Sequence, residues 1–481
     1  MGHFEDVQGV EHRGSPVCFN TLLSLIPLKT VCNKTGRLRM AETSIENLFD
    51  AEFRDRSAFR PAGRILSAGR GLFEVGGLAR DAALGDHVRF EGVAGRIRGE
   101  IVGLCDSAVS VFPDGDGAGL RVGDPAVLMG PPTLAPDQGW LGRIVDPHGK
   151  PLDGRPLGRS SNPRALFSAP PPASARKPFG PRLDTGLAVF DTLLPVVRGQ
   201  RIGLFAGSGV GKSSLLGMLA RGLEADVVVI ALVGERGREL GSFVRDVLGP
   251  EGLARSVVVV STSDQPPLSR RLALPAALTV AEHFRDEGQH VLLLADSITR
   301  FAEAHREVAL ASGEPASMRG FPPSMSHAAM SLAERTGPGA FGCDGDITAV
   351  FSTLVAGSDM DEPVADTIRG VLDGHVVLDR EIAERGRYPA IDVLRSVSRS
   401  LPTAATPREN AIIATARQRL GAYARAELMI QSGLYEPGSD AATDAAIKVW
   451  ASLDQFVSEP SDCVASSFLK LSAALAPGGL M

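Results

Sequence analysis

The strongest signal for the fold is the run RIGLFAGSGVGKSSLLGM, residues 201–218. It starts as a short apolar segment typical of a buried strand, passes through alternating glycines, and continues as an apolar helical pattern. A glycine-rich turn between a strand and a helix can direct backbone N–H groups at phosphate oxygens, and the positive end of the helix adds to that attraction. The sequence therefore predicts a phosphate-binding loop.

The loop departs from the usual pattern G-x-x-x-x-G-K-[ST] at one position, because Ala206 stands where the first glycine is expected. Lys212 is expected to reach the β- and γ-phosphates of a nucleotide, and the Ser213 hydroxyl to bind Mg²⁺. The alternative is a glycine-rich turn in which GKS occurs by chance. The residues predicted to bind nucleotide are Gly207, Ser208, Gly209, Val210, Gly211, Lys212, Ser213 and Ser214.

Strand-like and helix-like segments alternate between residues 185 and 400. The strand-like runs are 201–206, 226–233, 256–261, 290–296 and 347–355. Such alternation predicts an α/β fold with a mostly parallel sheet and helices on both faces. Ligands of these sheets bind at the carboxyl ends of the strands.

Two of the predicted strands end in an acidic residue. HVLLLAD ends at Asp296, where a second group that holds Mg²⁺ belongs, although an aspartate there can also cap the next helix. DVVVIALVGERGRE brings Glu235 to a strand end, where a carboxylate can polarise an attacking water. Arg236 follows directly, and the alternative for this pair is a surface ion pair.

The flanking regions have different textures. Residues 61–134 are short apolar runs separated by glycines, which predicts a small β-barrel. A proline-rich stretch follows, and we assign 135–402 to the nucleotide-binding part. Residues 403–481 are helical in character, with helices predicted at Glu409–Gln431, Ala441–Gln455 and Cys463–Ala476.

The first 60 residues look unlike the rest. We expect 1–39 to be a disordered extension upstream of a natural start at Met40, and the alternative is a secretory signal. Thr43 and Glu46 form a capping box, and apolar residues at helical spacing predict an amphipathic helix within 40–60. That helix either packs on its own domain or offers its apolar face to a partner protein.

Composition excludes several classes of protein. The net charge of −6 argues against a chain that coats nucleic acid. Five scattered cysteines without a CxxC pair indicate neither a disulfide framework nor a zinc knuckle, so a reducing cytoplasm fits. No run of about 18 apolar residues predicts a membrane span.

Several motifs together carry a family resemblance. They are AGSGVGKS (206–213), VGERGRE (233–239), LLLADSITR (292–300), DGHVVLDR (373–380), RYPAIDVLRSVSR (387–399) and GAYARAE (421–427). They resemble the catalytic-head subunits of rotary ATP synthases and, more closely, the type III export ATPase family, above all its flagellum-specific members. The likeness covers about residues 60 to 460. It implies an N-terminal β-barrel, a RecA-like P-loop ATPase domain and a helical C-terminal domain.

The resemblance also implies roles for residues that composition does not single out. Glu235 matches the catalytic glutamate of the family, and Arg236 the neighbouring arginine on the phosphate side. Arg399, in SVSR, matches the arginine finger that completes the site of an adjacent subunit; the alternative is a structural salt bridge. Tyr388 matches the aromatic residue that stacks on adenine; the alternative is a core tyrosine.

The function implied is Mg²⁺-dependent ATP hydrolysis that energises flagellar type III protein export. The resemblance implies a cytoplasmic homohexamer, peripheral at the inner-membrane export apparatus. Implied partners are a regulatory subunit at the N-terminal helix, a stalk-like coiled-coil protein, the membrane export gate, and export chaperones and substrates, but no nucleic acid.

Other functions stay open at this point. The same enzyme can serve a virulence secretion system. A catalytic subunit of a rotary synthase is disfavoured because QSGLYEPGSDAATD (431–444) is only mildly acidic where those subunits carry an acidic loop. A ring-shaped RNA translocase would be expected to show a basic, aromatic-rich surface, yet only 5% of residues are aromatic. A nucleotide-binding scaffold without turnover is the remaining alternative.

Overall fold

The computed structural model describes residues 60–69, 71–93, 95–158, 160–355, 360 and 362–476. The disordered extension expected at 1–39 lies outside the described residues. So does the helix expected within 40–60, except for Arg60 at its end.

The N-terminal part of the described chain is a closed barrel of six antiparallel strands. The strands are β1 (Ala62–Gly69), β2 (Leu72–Gly76), β3 (His87–Gly92), β4 (Gly95–Leu104), β5 (Ala108–Pro113) and β6 (Pro125–Gly130). Their order around the barrel is β1-β2-β5-β4-β3-β6. Alternate residues such as Val75, Phe90 and Val111 point inward and are fully buried, so side chains fill the interior.

A nine-stranded sheet forms the centre of the molecule, in the order β17-β16-β10-β15-β13-β11-β12-β8, with β14 beside β15. The remaining strands are β7 (Thr133–Leu134), β8 (Arg143–Val145), β9 (Arg164–Ala165), β10 (Arg201–Ala206), β11 (Val227–Glu235), β12 (Ser256–Thr262), β13 (His290–Asp296), β14 (Gly337–Pro338), β15 (Asp346–Leu354), β16 (Gly374–Leu378) and β17 (Ile391–Ser398). The strands from β16 to β8 along this order pair in parallel, whereas β14 and β17 run antiparallel to their neighbours. A separate small sheet pairs β7 with β9.

Helices cover both faces of the sheet. They are α1 (Ala188–Asp191), α2 (Lys212–Gly222), α3 (Gly237–Ser242), α4 (Gly249–Ala254), α5 (Pro267–Asp286), α6 (Ile298–Ala311), α7 (Ser324–Glu334), α8 (Pro363–Val371) and α9 (Arg380–Glu384). A π-helical stretch, Phe243–Leu248, joins α3 to α4. Successive residues of β11 face opposite cores: Ile230 packs in the core with α2, and Ala231 in the core with α5. This explains why the strand is an unbroken apolar run.

Three helices complete the described chain: α10 (Pro407–Gln431), α11 (Ala441–Phe456) and α12 (Val464–Ala474). A capping box of Thr406 and Glu409 starts α10. Phe456 and Leu471 belong to the same buried core as α2, so these helices pack directly on the nucleotide-binding part. Within the described ranges, no helix combines the length and apolar character needed to cross a membrane.

The barrel is anchored to the start of α5 by buried polar contacts. The Asp114 carboxylate, just after β5, accepts a hydrogen bond of 2.9 Å from the Ser269 hydroxyl and lies 3.1 Å from Nε2 of His148. Glu100 of β4 forms an ion pair with Arg271 of the same helix. These contacts fix the barrel against a helix that packs behind the central strands.

The strand and helix predictions for the central and C-terminal parts are confirmed to within two residues or so. The run predicted at 201–206 is β10, and the run predicted at 290–296 is β13. The long C-terminal helix predicted from Glu409 begins two residues earlier, at Pro407, because proline is accommodated in the first turn of a helix.

Candidate active site

The predicted phosphate loop joins β10 to α2. Gly209 and Gly211 have φ values of 79° and 87°, a region that favours glycine. Ala206 instead is the last residue of β10 and is buried in the core, so a side chain is tolerated at this position. Gly211 caps α2, and the first residue of this helix is Lys212. The loop therefore leads into a helix N-terminus, and Ser208, Ser213 and Ser214 are exposed.

Asp296 ends β13 and is almost completely buried. Its Oδ1 atom forms an ion pair with Nζ of Lys212 and accepts a hydrogen bond of 2.8 Å from the hydroxyl of Ser352. The residue that caps α6 is Ser297, whose side chain accepts from the N–H of Arg300. The carboxylate of Asp296 is therefore not used as a helix cap and faces the phosphate loop.

Glu235 is the last residue of β11, and its Oε1 lies 3.6 Å from Nζ of Lys212. Burial, together with the negative charge of Asp296, raises the pKa of Glu235 to about 7, although Lys212 opposes the shift. Glu239 raises it further. A carboxyl group with a pKa near neutral is suited to accept a proton from water.

The donor set at these strand ends fits a magnesium ion. Ser213, on the first turn of α2, offers a hydroxyl, and Asp296 offers a carboxylate. Mg²⁺ prefers oxygen ligands and is usually held by one or two protein groups together with substrate phosphates. In the part of the chain that the structure describes, no group of three His, Cys, Asp or Glu side chains could hold a metal alone. The site is thus of the kind that needs the nucleotide to complete a metal's coordination.

Two arginines lie near Glu235 in different ways. Arg236 is 77% exposed, and its closest acid is Glu239, at 3.5 Å. Arg300 packs its side chain against Gly234, where an added Cβ would lie 3.2 Å from it, and binds Glu303 at 2.8 Å. Arg300 is not among the site residues predicted from the sequence. Its position four residues after Asp296, on the first turn of the following helix, is the signal that would have found it.

Tyr388 lies beside the phosphate loop. A Cβ added to Gly211 would be 3.1 Å from the Tyr388 ring, which is about half exposed. The preceding Arg387 donates hydrogen bonds to the carbonyl oxygens of Pro389 and Ile391, and its Nε lies 3.0 Å from Asp454 of α11. The structure therefore brings the tyrosine to the loop with an open ring face, and it is not a core residue.

Arg399 lies at the opposite end of the sheet. It follows β17, and its backbone N–H donates to the carbonyl oxygen of Asp373, the residue directly before β16. The other end of β16, Leu378, pairs with Ala206 beside the phosphate loop. The two ends of β16, Gly374 and Leu378, are four residue steps apart, about 13 Å at 3.3 Å per residue. The side chain is exposed and forms no ion pair with any residue that the structure describes.

Sequence comparisons agree with this geometry. The profile described as the ATP synthase alpha/beta family, nucleotide-binding domain, matches residues 186–398. The profile described as the T3SS EscN ATPase C-terminal domain matches residues 405–467. These two matched ranges contain the phosphate loop, both acidic strand ends and most of the C-terminal helices.

Individual relatives are similar over most of their length. A flagellum-specific ATP synthase of Caulobacter vibrioides is 44% identical over 83% of this chain and 92% of its own. The SPI-2 type 3 secretion system ATPase of Salmonella typhimurium is 43% identical over 76% of this chain and 83% of its own.

A solved structure of the assembled ATPase EscN with its central stalk EscO, from enteropathogenic E. coli, superposes with a TM-score of 0.78. It is 35% identical and covers 86% of this chain and 100% of its own. The chain is therefore an ATP-hydrolysing enzyme, and it belongs to the type III export branch of the ATP synthase alpha/beta family.

Proposed function

We propose that this chain hydrolyses ATP with Mg²⁺ to energise flagellar protein export, as a homohexameric ring whose sites are shared between neighbours. One observation supports the proposal that the sites are shared between neighbouring subunits of a ring. Lys212, Asp296 and Glu235 meet at one end of the sheet, whereas the exposed Arg399 lies about 13 Å further along it. An arginine in that position is badly placed for its own site and well placed to reach a neighbour.

The proposed chemistry divides among the residues at the strand ends. Lys212 and the loop N–H groups bind the phosphates, with Arg236 turning towards them once nucleotide is present. Ser213 and Asp296 would hold Mg²⁺, which neutralises phosphate charge when bound. Glu235 orients the attacking water and accepts its proton. Tyr388 stacks on the adenine, and the neighbour's Arg399 offsets the charge of the transition state.

The proposed partners follow from the same assignment. The EscN relative is described as assembled and in complex with a central stalk, which supports a ring and a stalk-like coiled-coil partner for this chain. A regulatory subunit would bind the helix expected within 40–60. The export gate, chaperones and substrates would bring the ring to the cytoplasmic face of the inner membrane. We keep 61–134, 135–402 and 403–481 as the working division into barrel, ATPase and helical domains.

A virulence secretion system is the second candidate, since the SPI-2 relative is 43% identical. We favour the flagellar role because a flagellum-specific relative matches over a larger share of both chains. Deletion of the gene should abolish motility and filament export and leave effector secretion intact. Loss of effector secretion with normal motility would select the virulence role.

Shared sites are tested by mixing two inactive variants. Arg399→Ala should lower turnover about 10³-fold, because an arginine finger contributes that much or more. Glu235→Gln lacks the base and keeps the finger. An equal mixture should regain about a quarter of wild-type activity, because random mixing leaves about one interface in four complete.

The rate is measured against protein concentration, with each variant alone at the same total concentration as the control. A specific activity that rises steeply with concentration, with recovery in the mixture, supports the ring. A flat specific activity without recovery, and little loss in Arg399→Ala, would describe a monomeric nucleotidase and overturn the proposal.

A further inference from the structure

Ser352 is a buried serine on β15, the strand that lies between the phosphate-loop strand β10 and β13, the strand that ends at Asp296. Its side chain is 0% exposed and donates a hydrogen bond of 2.8 Å to Oδ1 of Asp296. Ser352 is thus fixed by the sheet at a point where it can control the orientation of one carboxylate.

The two donors to Asp296 act on the same oxygen atom. Nζ of Lys212 and the hydroxyl of Ser352 both reach Oδ1, and nothing among the described residues donates to Oδ2. The carboxylate is therefore held by protein donors through one oxygen atom, Oδ1. A ligand at Oδ2, such as a metal ion or a metal-bound water, need not displace a protein donor.

The donors differ in how freely they can leave. Lys212 has a flexible four-carbon stem and starts a helix at the loop, so it can exchange the carboxylate for a phosphate. Ser352 has one side-chain torsion on a strand buried on both faces, and it cannot follow the nucleotide. Once the lysine turns to phosphate, the serine is the one donor left on Oδ1 among the described residues.

We propose that Ser352 is a positioning residue that keeps the Asp296 carboxylate aimed at the nucleotide-bound Mg²⁺ after Lys212 has turned to the phosphates. This inference rests on the proposed metal role of Asp296. Residues that hydrogen-bond a metal ligand orient it, and their loss commonly lowers metal affinity or activity about 10–100-fold. Ser352 acts through Asp296 and does not itself contact the substrate.

The neighbouring residue provides a matched control. Thr353 is also 0% exposed, but its side chain points to the other face of the strand, and its hydroxyl has no hydrogen-bond partner among the residues that the structure describes. Thr353→Val removes that hydroxyl at nearly constant volume. A general effect of altering a buried polar group on β15 would appear in this variant as well.

The test compares Ser352→Ala, Ser352→Thr and Thr353→Val with the wild type in the full chain. The primary measurement is the dissociation constant of a non-hydrolysable ATP analogue, by titration calorimetry, in EDTA and over a range of Mg²⁺ concentrations. ATP turnover against Mg²⁺ concentration is the second measurement. Melting temperatures verify that each variant is folded.

Ser352→Ala should keep its affinity in EDTA and need about tenfold more Mg²⁺ for half of the full gain in affinity. Ser352→Thr, which keeps the hydroxyl, should restore most of the wild-type response, and Thr353→Val should behave as wild type. A normal Mg²⁺ response in Ser352→Ala, or an equal loss in Thr353→Val, would overturn the inference.

Asp296→Asn separates this inference from the function on which it rests. It should lose the Mg²⁺-dependent gain in affinity altogether. If it does and Ser352→Ala does not, the positioning role fails while the metal role stands. If Asp296→Asn keeps the full gain, the metal role itself is wrong, and the positioning role fails with it.

Discussion

The central strands of the sheet and the edge strand β17 differ in how they place the residues assigned to the site. The central strands bring theirs together in the interior, and the edge strand leaves its own exposed. β10, β13 and β11 deliver Lys212, Asp296 and Glu235 to one point, where all three are largely buried and in contact. β17 has Tyr388 just before it and Arg399 just after it, and both are exposed at opposite ends of the strand. The central group is assembled within one chain, whereas the exposed residues beside β17 are left open to a ligand or a second chain.

This difference has a physical cause. Buried charges must be paired, so the central group is held together by its own Coulomb interactions, and the cost appears as the raised pKa of Glu235. An exposed arginine is solvated and needs no partner, and an exposed ring keeps a face for stacking. Under the proposed function, Lys212, Asp296 and Glu235 are already in contact before the substrate binds, whereas Tyr388 and Arg399 gain their roles on binding or assembly.

Glu235→Gln should produce the largest effect, because it removes the proposed base and keeps its shape. Turnover should fall about 10²–10⁴-fold, the range typical of general acid–base catalysis. The affinity for an ATP analogue should stay within about threefold of wild type, since the phosphates are bound by Lys212 and the loop. Steady-state kinetics and calorimetry measure the two quantities.

Glu384→Gln is the matched control, since the Glu384 carboxylate pairs with Arg380 on an exposed helix face. This variant should leave both turnover and the affinity for the ATP analogue unchanged. Near-normal turnover in Glu235→Gln would remove this residue from the central group. The reacting centre would then consist of Lys212 and Asp296 alone.

The pH dependence of turnover should follow Glu235, whose pKa is about 7. A base must be ionised to accept a proton, so kcat/KM should rise about tenfold per pH unit below 7 and level off above it. A flat profile between pH 5.5 and 8 would contradict the assignment.

The same pKa predicts a change in stability. The folded-state pKa lies above the ordinary value of 4.5, so the contribution of Glu235 to stability is present below about pH 4.5 and lost as pH rises through about 7. Glu235→Gln should therefore raise the melting temperature relative to wild type at pH 8, and the gain should vanish near pH 4.5. Thermal melts at both values test the sign.

The sequence predicted the central strands β10, β11 and β13 well because each is a run of mostly apolar residues; β10 leads into the glycines of the loop, and β13 and β11 end in an acidic residue. The phosphate loop, Asp296 and Glu235 follow from that pattern. Ser352 does not, because a serine inside a strand buried on both faces interrupts no periodicity and carries no motif. Only the pairing of β15 with β10 and β13 brings it to Asp296.

The exposed residues beside β17, Tyr388 and Arg399, show a second limit of prediction from the sequence. Tyr388 and Arg399 were predicted from family resemblance, since neither spacing nor composition distinguishes them from core or surface residues. The structure brings the tyrosine to the loop but leaves the arginine far from it, because the residues lie at opposite ends of an antiparallel strand. A residue that acts on a neighbouring chain therefore shows in the single chain only as an exposed side chain far from its own site, as Arg399 does.

Tyr388→Ala should have the smallest effect on ATP hydrolysis of the variants considered. It is also a direct test of the role proposed for the exposed residues beside β17, Tyr388 and Arg399. Loss of a stacking ring should weaken binding of an ATP analogue about five- to tenfold, the lower part of the range for base–aromatic stacking. Tyr388→Phe keeps the ring and should bind as wild type. Turnover at saturating ATP should change little, because the ring lies beside Gly211 and is proposed to bind the base and not to take part in the chemical step.

Inosine and guanosine analogues extend the test, because stacking tolerates every base while hydrogen bonding does not. If Tyr388→Ala weakens ATP and GTP analogues alike, the ring provides a stacking face and little base selectivity. If instead Tyr388→Ala lowers turnover as much as Glu235→Gln does, Tyr388 belongs with the central group. The contrast between the buried residues of the central strands and the exposed residues beside β17 would then not hold for Tyr388.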